Sequence, residues 1–302
     1  MKVLTIGHSL GMDSNWMLPL VAAAEGYNDL SVGFLYDSGC PLDRHVRYLR
    51  ENVQGYTLYL SSTDTSDKPP VAIEKATMKQ GIKQDDWDVF VMQGGTFEIA
   101  EDATYTDGNI QTIQDYVNQH KKNKNAVFMW HMPWPFATEM ELQMKKDTDL
   151  QKNSYYLGYQ KYNNDRTRLY AAFAKCVNTH IMTDETFVGL IPTGTAFENA
   201  LSSYLTEFDL HRDYAHASDL ARVIAAYTYF CVLTGVKQLA EIKLNVIPGE
   251  FRCSKKVRDT DKVLTESEKA IILEAVNNAL KNPLQMTPSQ YTEAPVGFVP
   301  GM

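Results

Sequence analysis

The 302-residue sequence has no apolar run long enough to cross a membrane. Its N-terminus also lacks the pattern of a secretion signal, in which a charged segment precedes an apolar one and a small-residue cleavage site. These absences argue against a membrane-spanning protein and against a membrane as partner. We therefore expect a cytoplasmic protein, with a secreted protein whose leader has been removed as the alternative.

Clusters of positive charge are also missing. The formal net charge is −8, and the 29 Lys and Arg residues are scattered along the chain. The short basic run at residues 121–124 ends a helix-like segment, where cations complement the carbonyl end of the helix dipole. Because nucleic acids are bound through clustered positive charge, we expect no nucleic-acid partner.

Cysteine is scarce, with four residues in the chain: Cys40, Cys176, Cys231 and Cys253. They lie far apart, and they form neither a C-x-x-C pair nor a His/Cys spacing typical of zinc. Neither a disulfide framework nor a metal site is therefore expected. Cys40 follows Gly39, and we interpret it as a small buried residue in a turn rather than as a nucleophile.

Five short apolar runs alternate with helical patterns, and both faces of each run are apolar, as in buried parallel strands. The predicted strands are Val3–Ile6, Leu30–Tyr36, Val89–Met92, Ala126–Trp130 and Phe187–Ile191, and the predicted helices are Asn15–Glu25, Asn109–Gln119, Arg166–Val177, Leu220–Thr234 and one from the capping box at Thr265 to about Leu280. This order predicts an α/β fold with a doubly wound, flavodoxin-like, mainly parallel five-stranded sheet. A short extra strand over Thr57–Leu60 and a helix over about Ala72–Gly81 are also expected.

The length and patterning favour one domain over residues 1–283. Residues 284–302 contain three prolines and little periodicity, and we expect them to form a wrapping or mobile extension. Residues 133–164 have weak periodicity and many polar side chains. A segment of that length without clear elements is typical of a functional loop or lid.

The sequence Gly7-His8-Ser9-Leu10-Gly11 comes directly after the first apolar run. Its letters match the G-x-S-x-G turn of the α/β-hydrolases, which places a nucleophilic serine between a strand and a helix. In that fold several strands precede the turn, whereas here the turn follows the first strand. The motif therefore predicts a serine nucleophile at Ser9 but not the α/β-hydrolase fold.

Asp213 and His216 form an Asp-x-x-His pattern at the start of a late helix. This spacing lets a carboxylate orient a histidine that accepts the proton of a serine hydroxyl. Taken alone, the pattern is more typical of an acidic residue at a helix N-terminus with a nearby surface histidine. The combination with Ser9 favours the catalytic interpretation.

Taken together, the motifs resemble the SGNH (GDSL-type) hydrolases and, more closely, the bacterial branch of that superfamily known as the DUF4886 family. The resemblance rests on five segments: Leu4–Ser9 with Asp13; Ser38–His45; Trp87–Val89 leading to Gln93; Ile191–Phe197; and Arg212–His216 with Tyr227 and Leu233–Gly235. No single segment is specific, but the set is. The resemblance implies a three-layer αβα fold of the SGNH-hydrolase type.

The resemblance also implies roles for individual residues. Ser9 would be the nucleophile, His216 the general base and acid, and Asp213 the residue that orients His216. The oxyanion hole would use the backbone N–H groups of Ser9 and Gly39 and a side chain after the third strand.

Two positions depart from the family pattern. The usual Gly-x-Asn of the superfamily reads Gly94-Gly95-Thr96 here, so the side-chain donor would be Thr96 or the neighbouring Gln93. Tyr214 follows Asp213, where the branch often has glycine.

Other residues near the predicted site have two interpretations each. His131 and Trp134 follow the fourth strand and would suit a sugar face or an acyl group, or else pack the end of the sheet. The position at a strand end favours His131 in the site. We expect His8 to support the turn, Asp13 to cap the first helix and His45 to lie on the helix after the second strand.

These observations predict a serine esterase that removes a small acyl group, most plausibly acetyl, from a carbohydrate or a related hydroxyl compound. No cofactor is expected. A thioesterase or lipase of the same type, or a carbohydrate-binding protein that keeps the fold without turnover, is the alternative. The sequence argues against a nucleotide or flavin binder, because Gly7 and Gly11 do not complete G-x-G-x-x-G and no P-loop lysine is present. The sequence leaves the oligomeric state open.

Overall fold

The computed structural model describes residues 1–95, 97–138, 158–253 and 259–298. A seven-stranded sheet lies at its centre, in the order β4-β3-β2-β1-β5-β6-β7. The strands are β1 (Lys2–Gly7), β2 (Ser31–Tyr36), β3 (Tyr56–Ser62), β4 (Val71–Ala76), β5 (Val89–Met92), β6 (Val127–His131) and β7 (Phe187–Ile191). The five strands β2, β1, β5, β6 and β7 run parallel, which confirms the doubly wound, flavodoxin-like prediction.

The sheet has two more strands than the five expected parallel ones. β3 pairs antiparallel with β2, as the extra strand predicted over Thr57–Leu60 anticipated, and β4 pairs antiparallel with β3. The helix predicted over Ala72–Gly81 is wrong in its first half, because residues 71–76 form this edge strand. The β-branched residues Val71 and Ile73 favour the extended backbone, and the helix begins only after the capping box of Thr77 and Gln80.

Helices cover both faces of the sheet, which gives three layers. They are α1 (Ser9–Trp16), α2 (Leu18–Ala24), α3 (Leu42–Glu51), α4 (Met78–Gln84), α5 (Ala103–Thr106), α6 (Asn109–His120), α7 (Arg166–Cys176), α8 (Thr193–Leu201), α9 (Glu207–Leu210), α10 (Asp219–Thr234) and α11 (Glu266–Lys281). Helices α1, α2, α8 and α11 pack around α10 on one face, and α3, α4 and α6 pack together on the other. The central helix α10 is buried along nearly its whole length.

The predicted helices near residues 109–119, 166–177, 220–234 and 265–280 are confirmed within one or two residues at each end. The first helix differs from the prediction, because it begins at Ser9 rather than Asn15 and is interrupted at Met17 before Pro19. The early start places Ser9 in the first turn of a helix.

The chain beyond Lys281 returns along α8. The backbone N–H of Ser289 donates to Ser202 Oγ at 2.8 Å, and the N–H of Tyr204 donates to the carbonyl of Tyr291 at 2.9 Å. Residues 284–298 therefore lie against the helical layer, and the domain boundary at 283 stays a prediction. Within the described ranges, no helix has both the length and the apolar character that a membrane span requires.

Candidate active site

Ser9 lies where β1 passes into α1. His8 caps the helix, because its Nδ1 accepts the N–H of Leu10 at 3.5 Å while its Nε2 donates to the carbonyl of Gly94 at 3.0 Å. Burial lowers the pKa of His8 to about 4, which keeps the ring neutral and suited to these two bonds. His8 thus supports the turn, as expected, and holds Ser9 at the carboxyl end of the sheet.

A chain of hydrogen bonds joins Ser9 to the loop before α10. His216 Nε2 lies 2.9 Å from Ser9 Oγ, and His216 Nδ1 lies 2.9 Å and 3.0 Å from the two carboxylate oxygens of Asp213. With Nδ1 as the donor to Asp213, Nε2 is the acceptor for the serine proton. The structure therefore brings together the three residues that the sequence indicated, in the geometry of a nucleophile, a base and an orienting acid.

The environment of Asp213 keeps it charged. Burial acts to raise the pKa of Asp213, but hydrogen bonds from the His216 ring and from the backbone N–H groups of Ala215 and His216 outweigh it. The pKa of Asp213 therefore lies below its usual value. A carboxylate that stays ionised can stabilise the imidazolium that forms when His216 takes a proton.

The second loop at the site follows β2 and carries Ser38 and Gly39. Gly39 has a φ of 55°, in the left-handed region that glycine adopts most easily. Arg44 fixes this loop from α3, since it donates to the carbonyl of Ser38 at 3.1 Å and to Asp37 at 3.2 Å. Gly39 lines the same cleft as Ser9, as its predicted role in the oxyanion hole requires.

The other two predicted oxyanion residues follow β5. Thr96 lies outside the described residues. Gln93 is buried, its Oε1 accepts the N–H of His8 at 3.3 Å, and a Cβ at either Gly7 or Gly11 would collide with that oxygen. It is not among the residues that line the cleft. Gln93 fills the space behind the turn that those two glycines leave, its buried Nε2 has no hydrogen-bond partner among the described residues, and its role as an oxyanion donor stays a prediction.

His131 and Trp134 do not reach the cleft, which corrects their expected role in substrate binding. Both side chains are fully buried. His131 Nε2 lies 2.7 Å from Thr193 Oγ1 of α8. Trp134 stacks on Phe197 at 4.1 Å and donates its indole N–H to the carbonyl of Ala215 at 2.8 Å. Helix α8 covers the end of β6, and the bond from Trp134 to Ala215 supports the loop that carries His216.

Asp13 is also placed differently from the prediction. It lies inside α1 rather than at its cap, and its buried carboxylate binds both Arg212 and Arg222. Cys40 is fully buried, in agreement with its interpretation as a structural residue, and burial raises the pKa of its thiol. Within the described parts of the chain, no cluster of three or more His, Cys, Asp or Glu side chains is arranged to hold a metal ion.

The profile described as "Domain of unknown function (DUF4886)" matches residues 2–245. The chain belongs to the DUF4886 family. A search of the curated proteins finds no match for it.

Solved structures similar to this DUF4886 protein include a DUF4886 family protein from Bacteroides uniformis ATCC 8492, with 22% identity, coverage of 97% of this chain and 99% of that chain, and a TM-score of 0.76. This likeness shows a shared fold. Two further structures align more loosely. One is a putative SGNH hydrolase from Slackia heliotrinireducens, with 15% identity, 77% and 98% coverage and a TM-score of 0.45. The other is an acetyl xylan esterase, with 14% identity, 78% and 100% coverage and a TM-score of 0.42.

The cleft of this DUF4886 protein has a volume of about 130 Å³ beside Ser9 and His216. Two aromatic rings form one wall, since Phe136 and Tyr214 meet edge to face at 5.6 Å. The N–H of Ala137 donates to the carbonyl of Tyr214 at 2.9 Å, which joins the two wall segments. Phe136 was missed from the sequence, although its position shortly after β6 was a usable signal.

Proposed function

We propose that this protein is a serine esterase that hydrolyses esters of short acyl groups. The observation that carries the proposal is the hydrogen-bonded chain from Ser9 through His216 to Asp213 at the edge of an open cleft. A serine hydroxyl is a weak nucleophile at neutral pH, and a histidine in contact with it supplies the base that it needs.

The reaction follows from the positions of these atoms. Ser9 Oγ attacks the ester carbonyl carbon while its proton passes to His216 Nε2. The carbon–oxygen bond to the alcohol then breaks, and the alcohol leaves with the proton from His216. Water repeats the sequence on the acyl-enzyme, which releases the carboxylic acid and restores Ser9.

The negative charge that develops on the carbonyl oxygen of the substrate requires hydrogen-bond donors that point at that oxygen. The backbone N–H groups of Ser9, at the first turn of α1, and of Gly39, on the loop after β2, are the proposed donors. One well-placed donor of this kind lowers the barrier by about 3 kcal/mol.

The walls of the cleft support a short acyl group. Leu10, Phe136 and Tyr214 surround a space of about 130 Å³, which suits an acetyl group better than a long chain. Aromatic walls also suit the apolar faces of a sugar ring, and we propose a carbohydrate or a related hydroxyl compound as the alcohol.

The test is the hydrolysis of p-nitrophenyl acetate by the wild type, Ser9→Ala and Ser14→Ala. Ser14 lies on the same helix, buried and bonded to the carbonyl of Leu10 at 2.9 Å, so Ser14→Ala is a matched control. We expect activity in the wild type and in Ser14→Ala, and its loss in Ser9→Ala. Equal rates in the wild type and Ser9→Ala would overturn the proposal, and no hydrolysis by either would favour a non-catalytic carbohydrate-binding protein.

A further inference from the structure

A buried carboxylate connects the nucleophile helix to the loop of the histidine. Asp13 lies four residues after Ser9 on α1, so the two side chains point to the same side of the helix. Its two oxygens accept from Arg212 Nη1 at 2.9 Å and 3.0 Å, and one of them accepts the backbone N–H of Ala217 at 3.1 Å. The side chain of Asp13 is almost completely buried.

Arg212 and Ala217 bracket Asp213 and His216 in the sequence. The loop between them is closed on itself, because the N–H of Arg212 donates to the carbonyl of His216 at 2.9 Å and Arg212 Nη1 donates to the carbonyl of Ala217. His211 and Ala217 also form an isolated antiparallel bridge. Asp13 therefore holds both ends of a preformed loop rather than a single point on it.

These contacts place two connections between α1 and the loop. One is the contact between Ser9 and His216, and the other is the set of bonds from Asp13 to Arg212 and Ala217. A single contact between a serine and a histidine permits the loop to swing. Trp134 and Ala137 bond the middle of the loop from the segment after β6, and the second connection to α1, one helical turn away, fixes the loop relative to the helix of Ser9.

We propose that Asp13 and Arg212 are positioning residues that fix His216 at hydrogen-bond distance from Ser9. The inference rests on the proposed esterase function for its kinetic consequence, while its structural consequence is independent of that function. Neither residue lines the cleft beside Ser9, so they act through the loop and not on the substrate.

Arg222 also binds Asp13, with its Nε at 2.8 Å, and it belongs to α10 rather than to the loop. It neutralises the carboxylate and joins α1 to the core. Removal of Asp13 would leave two guanidinium groups facing each other in a buried space, so the substitution of choice is at Arg212. The side chain of Arg212 is 28% exposed, and Arg212, unlike Arg222, belongs to the loop itself.

The test compares Arg212→Met and Arg212→Lys with a matched control. Arg252 forms a similar pair with Asp219, at 2.9 Å and with the arginine side chain 15% exposed, and its other bonds among the described residues go to Thr260 rather than to the loop. Arg252→Met therefore removes a comparable ion pair, in which the acid is Asp219 at the start of α10. Thermal unfolding verifies that each variant is folded, and Arg212→Lys provides a milder variant if Arg212→Met does not fold.

Two measurements are made on these variants: the distance from Ser9 Oγ to His216 Nε2 in a crystal structure, and kcat and KM for p-nitrophenyl acetate. In Arg212→Met we expect the distance to exceed hydrogen-bond reach and kcat to fall about a hundredfold, with KM changed less than about threefold. Arg212→Lys keeps a positive charge with three donors, but its Nζ lies one bond short of the position of Arg212 Nη1, which makes the bonds to Asp13 and to the carbonyl of Ala217, so we expect weaker contacts and a smaller loss than in Arg212→Met. Arg252→Met keeps both the distance and kcat.

The outcomes separate this inference from the proposed function. The positioning role is wrong, whatever the reaction, if both Arg212 variants keep the wild-type distance from Ser9 Oγ to His216 Nε2 and have the same kcat as Arg252→Met. If the wild type hydrolyses no ester, the proposed function fails, and the crystallographic distance in the Arg212 variants alone decides the positioning role. A loss of kcat in Arg252→Met equal to that in Arg212→Met would also contradict the inference, because the effect would then be general.

Discussion

His216 Nε2 lies 2.9 Å from Ser9 Oγ, although 207 residues separate the two in the chain. Ser9, the proposed nucleophile, lies in the first turn of the first helix, and His216, the proposed base, lies in the last loop before the central helix. His8 caps the helix of Ser9, Asp213 bonds the ring of His216, and Asp13 bonds Arg212 and Ala217 on either side of them in the loop.

Asp213→Asn removes the negative charge from the orienting residue. Since an amide cannot stabilise an imidazolium and can present its N–H to His216 Nδ1, the ring would expose the wrong tautomer to Ser9. We expect kcat for p-nitrophenyl acetate to fall by about 10²–10⁴ with little change in KM. Circular dichroism of the variant verifies the fold, and an unchanged kcat would rule out a catalytic role for Asp213.

Tyr214→Gly removes part of the aromatic wall of the cleft. Because Tyr214 and Phe136 bound the space beside Ser9, the variant is expected to accept longer acyl groups. The measurement is kcat/KM for p-nitrophenyl acetate, butyrate and hexanoate. The ratio of kcat/KM for hexanoate to kcat/KM for acetate should rise about tenfold, which is the lower end of the effect of one methylene group in an apolar pocket. Tyr214→Phe keeps the ring and should keep the wild-type ratio. An equal shift in both variants would contradict a role for the ring as a wall.

Gly39→Ala tests the loop after β2. The φ of 55° at Gly39 is strained for alanine, by about 1 kcal/mol, and the backbone is expected to shift to relieve it. Gly235 caps α10 with a φ of 75°, so Gly235→Ala carries similar strain far from the loop after β2. Urea unfolding should show a similar loss of stability in both variants, whereas kcat should fall only in Gly39→Ala. A normal kcat in Gly39→Ala would argue against an oxyanion donor on this loop.

His45 provides a pH-dependent test of the core. It is fully buried on α3, as the sequence predicted, shares a hydrogen bond of 2.7 Å with Tyr56 Oη, and burial lowers its pKa to about 3. In the unfolded chain His45 takes up a proton near pH 6.5, whereas in the folded chain it stays neutral until the pH approaches 3. The contribution of the neutral, buried His45 to the free energy of unfolding is therefore fully present above pH 6.5 and is lost as the pH falls towards 3.

His45→Asn keeps a polar partner for Tyr56 and removes the titrating ring. Between pH 7.5 and pH 5, we expect the free energy of unfolding of the wild type to drop by about 2 kcal/mol more than that of His45→Asn. Urea unfolding at the two pH values makes the comparison. Equal drops in the two proteins would show that His45 does not titrate in this way.

Much of the fold could be predicted from local patterns. The parallel strands are short runs with both faces apolar, such as Val3–Ile6, and the last helix begins at a capping box. β4 was missed because Val71–Ala76 is an exposed edge strand in which only Ala76 is buried, so it lacks the buried apolar run that marks the parallel strands. Its pairing with β3 adds to the weak extended preference of Val71 and Ile73.

The candidate site was predicted in part. Ser9, Asp213 and His216 belong to short motifs whose spacing carries their chemistry. The side chains around them depend on packing between distant segments, which one sequence does not record. Trp134 turns away from the cleft because Phe197 of α8 stacks on it, and Asp13 finds its partner Arg212 at a separation of 199 residues.

The most direct test of the central claim is covalent labelling by a fluorophosphonate followed by peptide mass spectrometry. Activated serines displace fluoride from such a reagent and retain the phosphonyl group on Oγ. We expect a single adduct on the peptide that contains Ser9, absent in Ser9→Ala and formed far more slowly in His216→Gln. A wild-type protein that remains unlabelled, or an adduct that persists in Ser9→Ala, would contradict the assignment of Ser9 as the nucleophile.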